Sequence, residues 1–119
     1  MLSFNHSAKV FLACGATDMR RSIDGLSIMV QMTFKLDPFT NAIFVFCNRN
    51  KDKIKILYWE HNGFWLYYRR LERGRFKWPD SADSVSTMEV TERELDWLLS
   101  GLDIHEKGAH RAVTQRKII

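Results

Sequence analysis

Apolar positions along the chain change period several times, and each change marks an element. Lys9 to Ala13 is a short run that is mostly apolar on both sides, which reads as a strand, and Cys14-Gly15-Ala16 interrupts it. Met19, Ile23, Leu26 and Val30 then recur at spacings of four, three and four, one face of a helix capped by Thr17 or Asp18. Met29 and Phe34 flank that stripe, Arg20, Arg21 and Asp24 fall off it, and Asp37-Pro38 ends it. Gly25 inside the helix costs ~1 kcal/mol relative to Ala, which a close strand backbone would explain.

Ala42 to Cys47 is β-branched and aromatic, a second strand, followed by a polar, basic turn at Asn48 to Asp52. From Lys53 to Trp59 the pattern alternates, with Lys53 and Lys55 on one side and Ile54, Ile56 and Tyr58 on the other. Asn62-Gly63 predicts a hairpin turn, because both residues tolerate positive φ. Phe64 to Leu71 is the return strand, with Phe64, Leu66, Tyr68 and Arg70 on one side and Trp65, Tyr67, Arg69 and Leu71 on the other. Arg73-Gly74-Arg75 is a turn or bulge, and Phe76 to Pro79 closes the block.

Ser81 to Glu89 reads as a polar connector. Thr91 followed by Glu94 is a capping box, with Val90 and Leu95 placed to form a hydrophobic staple, and Leu95, Leu98, Leu99 and Leu102 make the buried stripe of a second helix. The expected fold is α+β in the order β-α-β-β-β-α, an antiparallel sheet of about four strands with two helices packed on one face. Residues 1–106 form this single domain, and residues 107–119 a basic, flexible C-terminal tail.

The length of 119 residues accommodates one hydrophobic core, too short for a polynucleotidyl-transfer catalytic core together with a DNA-binding domain. Neither a membrane span nor a signal peptide is legible, so no membrane association and a cytoplasmic location are expected. Cys14 and Cys47 end apolar runs, and neither they nor His6, His61, His105 and His110 stand at metal-ligand spacing. Two reduced buried thiols are expected, with no metal and no cofactor. Asp18, Asp24, Asp52 and Glu60 offer carboxylates, but no spacing draws them to one metal-dependent catalytic site, so no enzyme is expected.

Charge changes the picture more than composition does. The net charge of +4 conceals a basic middle, residues 49–78, with nine Lys or Arg against three Asp or Glu. An acidic block follows at residues 79–106, with one basic and eight acidic groups. In the basic middle, Arg49, Lys51, Lys53, Lys55, Arg69, Arg73, Arg75 and Lys77 alternate with aromatic rings, notably Trp59 and Trp65. Phosphate neutralisation needs the cations, and stacking on unpaired bases needs exposed aromatic planes, so these ten residues are the candidate DNA-binding set. A solvated cationic face over a row of core rings is the competing reading. The Gly15 turn ahead of a helix lacks a P-loop's Lys-Ser/Thr pair, and Asp18 would repel an anion there.

The same residues resemble a known family. Phe11 through Leu26 is close to its first signature, Phe44-Val45-Phe46 with Asn48 through Trp59 to its second, and Gly63 through Pro79 to its third. These are the small accessory proteins called TnpB, from the second reading frame of insertion sequences of the IS sixty-six family, unrelated to the RNA-guided nuclease of the same name. The resemblance spans about residues 10–103. Ser22 and Ile23 stand where Gly and Phe are common, and Asn50 where Arg is common. It implies a non-catalytic role in DNA transposition, in which a separate, larger protein carries the transposase chemistry. DNA, that transposase and other element-encoded proteins are the partners it suggests, with no oligomeric state and no catalytic residue carried over. A protein-interaction module without DNA affinity is the alternative.

Overall fold

The computed structural model describes residues 8–80 and 86–102. In chain order these form β1 (Val10–Ala13), α1 (Ile23–Met32), β2 (Ile43–Cys47), β3 (Lys53–Glu60), β4 (Gly63–Arg70), β5 (Thr87–Val90) and α2 (Glu92–Leu99). One sheet contains all five strands in the spatial order β4-β3-β2-β1-β5. The α+β class is as expected, and three details differ.

First, the sheet is mixed. β1 and β2 run parallel, Val10 opposite Ile43, while the other three pairings are antiparallel. A parallel pair needs a crossover, and α1 is that crossover. Second, the helices cover opposite faces. Leu26 and Val30 of α1 pack on Ala13, Phe44, Phe46 and Leu57. Leu95 and Leu98 of α2 pack with Val10, Leu12, Ile43, Val45, Ile54 and Ile56 on the other face. All five β2 residues are accordingly buried, the signature of a strand covered on both sides. Third, β5 lies at the end of the segment read as a connector. It pairs with β1, placing Val90 opposite Val10 and Met88 opposite Leu12.

Local chemistry sets the boundaries. α1 starts at Ile23, with Ser22 at the N-cap making no side-chain capping bond. Asp18 does not cap it; its carboxylate accepts from the Arg20 backbone N–H at 2.9 Å and holds the Arg20 guanidinium at 2.7 Å. A Cβ on Gly25 would meet the Arg21 side chain, so no strand backbone accounts for that glycine. The β3–β4 hairpin forms as expected, but one residue earlier. Glu60 pairs with Gly63, and His61, with φ of 55°, takes the positive-φ position.

The capping box of α2 is formed, with Glu94 N–H donating to Thr91 Oγ1 at 3.0 Å and Thr91 N–H to Glu94 Oε1 at 2.9 Å. Its C-terminus is closed by Gly101 at φ of 86°, where the Leu102 and Gly101 N–H groups donate back to the Trp97 and Leu98 carbonyls. Leu102, expected in the buried stripe, lies past this turn and is exposed. The proposed tail at residues 107–119 and the end of the proposed domain at 103–106 lie outside the described residues. No helix of the described residues is long and apolar enough to cross a membrane.

Candidate nucleic-acid interface

The basic segment gathers at one end of the sheet. β2 ends at Cys47 and β3 begins at Lys53, so the turn between them lies where β4 also ends, Lys53 being opposite Arg70. Asn48 builds that turn. Its side-chain oxygen accepts from the backbone N–H groups of Asp52 and Lys53, each at 3.0 Å, and its amide donates to Asp52 at 2.7 Å. Lys51 takes positive φ there, 60°, and Arg49 and Asn50 project into solvent.

A strap after β4 returns across this turn. Leu71 N–H donates to Asp52 O at 2.8 Å and Phe76 N–H to Lys51 O at 2.7 Å. Further on, the buried Trp78 indole donates to Ala13 O at 2.9 Å, and Pro79 O accepts from Gly15 N–H at 3.0 Å. Phe76 and Trp78 are buried in the α2-side core while Arg75 and Lys77 are exposed, an alternation that fixes their directions. The Phe76–Lys51 bond thus sets Arg75 and Lys77 beside the Arg49–Lys51 turn, with Arg73 on the preceding bend.

The counter-charges are distributed unevenly. Lys51 pairs with Asp80 at 3.0 Å, Lys53 with Asp52 at 3.6 Å, and Arg70 with Glu72 at 2.9 Å. Arg49, Arg73, Arg75 and Lys77 are exposed and form no ion pair among the described residues. Of the eight candidate cations, these four combine exposure with no carboxylate partner among the described residues.

The other candidates divide. Lys55 donates to the Met19 and Arg21 carbonyls at 2.8 and 2.7 Å, so it ties the loop before α1 to the sheet. Arg69 lies on the opposite face, where its guanidinium reaches the Leu99 carbonyl at 3.4 Å. α2 has no basic residue of its own in the last turn, and Arg69 supplies that cation from β4. Trp59 packs edge-on against Phe39 and Phe64, with ring centroids 5.0 and 4.9 Å away. Trp65 is 52% exposed, stacks with Tyr67 at 6.1 Å and donates to Glu60 at 2.9 Å. Both tryptophans sit near the hairpin tip. Trp59 is six residues along β3 from Lys53, ~20 Å away, so residues interleaved in sequence are separated in space.

The structure adds a contribution that segment-wise charge does not reveal. A cleft of about 600 Å³ opens between the loop before α1 and the α1-side face of β3 and β4, lined by Met19, Arg20, Lys53, Lys55, Leu66 and Tyr68, with Asp18. Hydrogen bonds from Arg20 hold the Asp18 carboxyl down at about 2, so this carboxylate is ionised and already paired at neutral pH. The Gly15–Arg21 loop and the basic hairpin, unconnected motifs along the chain, thereby form two walls of one groove. Among the described residues no group of three His, Cys, Asp or Glu side chains could hold a metal ion.

Two further groups near this end are internal. Cys14 and Cys47 are free, buried thiols, and burial pushes Cys47 up to about 12 and Cys14 also upward.

Comparison with known proteins follows the same residues. An uncharacterized protein of Sinorhizobium fredii (strain NBRC 101917 / NGR234), y4hO, is 35% identical over 103 residues, covering 87% of this chain and 88% of that one. A second from the same strain, y4jC, is 29% identical over 103 residues, with 87% and 86% covered. No solved structure matches the chain. The profile described as IS66 Orf2 like protein matches residues 8–109, a span containing both helices, all five strands and the basic strap. The chain belongs to the IS66 Orf2-like family of insertion-sequence accessory proteins.

Proposed function

We propose that this protein is a non-catalytic accessory factor of DNA transposition that grips the phosphate backbone of element DNA with the basic end of its sheet. One observation carries the reading. Four cations on two separate segments, Arg49 on the β2–β3 turn and Arg73, Arg75 and Lys77 on the strap, are carried to the same end of the sheet by the Phe76–Lys51 hydrogen bond and form no ion pair among the described residues. Lys51 and Lys53, held by exposed or half-exposed carboxylates, add charge at the same end. Arginine suits the task because its planar fork engages two phosphate oxygens at once. Few short polar side chains accompany these cations, so the grip is largely indifferent to base sequence.

The same reading makes the separate transposase a protein partner, with both acting in the cytoplasm where the element DNA lies. Ile28 and Met32, one turn apart on the outer side of α1, and Phe39 are each at least half exposed, an apolar surface for that contact. Titration of the purified protein with a short duplex at increasing salt tests the DNA reading. Measurable affinity at low salt that falls steeply with added salt is expected; absence of binding at low salt would favour an interaction module that reaches DNA only through its partner.

A further inference from the structure

The cleft beside the basic end has a shape and chemistry that phosphate binding to a duplex does not use. Its outer wall is Tyr68, 54% exposed and standing on β4 directly opposite Lys55. Leu66, two residues back on the same face, supplies an apolar floor, and Met19 a further apolar surface. At the mouth toward the basic end stand Lys53 and, on the loop, Arg20. Three cations line the cleft against one carboxylate, Asp18, which Arg20 already engages through two hydrogen-bonded oxygens. Lys55 uses two of its ammonium protons on backbone carbonyls and retains a third. Lys53 stands 3.6 Å from the Asp52 carboxylate, whose same oxygen accepts the closer Asn48 amide at 2.7 Å.

An exposed aromatic plane, an apolar floor and cations on one side are the features that receive a nucleobase with its phosphate. A cleft of about 600 Å³ has room for one nucleotide, and its Lys53 lies at the start of β3, opposite Arg70, at the end of the sheet that carries the β2–β3 turn. A paired base cannot reach Tyr68, because its planes are already stacked within the duplex. We infer that this cleft binds one unpaired nucleotide of a DNA strand, its base on Tyr68 and its phosphate between Lys53 and Arg20. This rests on the DNA reading above and extends it: the protein recognises DNA with unpaired bases, such as a tailed or gapped end, in preference to continuous duplex.

The test compares two oligonucleotides with equal numbers of phosphates, a blunt duplex and a duplex carrying a four-nucleotide unpaired tail, by fluorescence anisotropy at one salt concentration. The wild-type protein is expected to bind the tailed form about tenfold tighter or more. Tyr68→Ala should bring the two affinities together while leaving blunt-duplex binding unchanged, and Tyr68→Phe, which keeps the ring, should retain the preference. Thermal melting of each variant establishes that it is folded. Equal binding of the two DNAs by the wild type, or a preference surviving in Tyr68→Ala, overturns the cleft assignment and leaves the phosphate-binding reading standing. Failure to bind either DNA overturns both.

Discussion

Lys55 lies in the middle of the most cationic stretch of the chain, yet its ammonium group is engaged by two carbonyls 36 and 34 residues away in sequence. Lys55→Met should therefore act on stability. Leaving two acceptors without their charged donor is expected to cost about 1–3 kcal/mol in urea denaturation, with affinity for a blunt duplex at a permissive temperature changed little. No local pattern reveals such a role, because the partners come from another loop. The Thr91–Glu94 box is the opposite case: donor and acceptor are three residues apart, so the motif alone is sufficient to find it. Thr91→Ala should lower stability by ~0.5–2 kcal/mol, and unchanged denaturation would contradict the bond seen at Glu94. Cys47 behaves as a core apolar residue. Folding raises its thiol, so its stabilising contribution is complete below the ordinary value of 9.0 and is lost as pH climbs toward about 12. In the native protein near neutral pH both thiols should resist a disulfide reagent and both should react on denaturation; rapid native labelling would contradict their burial.

At the scale of elements, the hairpin was readable because β3 and β4 alternate cleanly, and a turn displaced by one residue left every side chain on its expected face. The sheet's outline was less readable. A β5 of four residues is too short for alternation to emerge from a polar stretch, and its pairing with β1 joins segments nearly eighty residues apart. The continuous burial of β2 does have a sequence signal: Ile43 to Cys47 contains no polar residue, which indicates cover on both faces and hence helices on opposite sides. α1 starts later than the Thr17–Asp18 signal indicates, because Asp18 satisfies Arg20 rather than a helix terminus. The strap is the element on which the candidate site depends. Trp78→Phe removes a buried indole donor from Ala13 O and should cost about 1–3 kcal/mol, with the loss appearing first as increased hydrogen exchange at Phe76. Full protection at Phe76 in that variant would show that the strap is held without Trp78.

Across the whole molecule, segment charge singles out residues 49–78 but carries nothing about their arrangement. Four of the ten candidates stand at the sheet end without an ion pair among the described residues, Lys51 and Lys53 stand there paired, Lys55 is a structural tie, Arg69 caps a helix on the other face, and the two tryptophans lie toward the hairpin tip. Linear sequence carries charge density; which cations share an end depends on a long-range bond such as Phe76 to Lys51. The central claim is that Arg49, Arg73, Arg75 and Lys77 act together on DNA phosphates. The most direct measurement is the slope of log affinity against log salt for a blunt duplex, comparing the wild type with a variant carrying all four as Ser. Each phosphate contact contributes ~0.9 to that slope, so the variant should melt like the wild type, bind far more weakly and show a slope smaller by about 3.6. A folded variant with the wild-type affinity and slope would contradict the account.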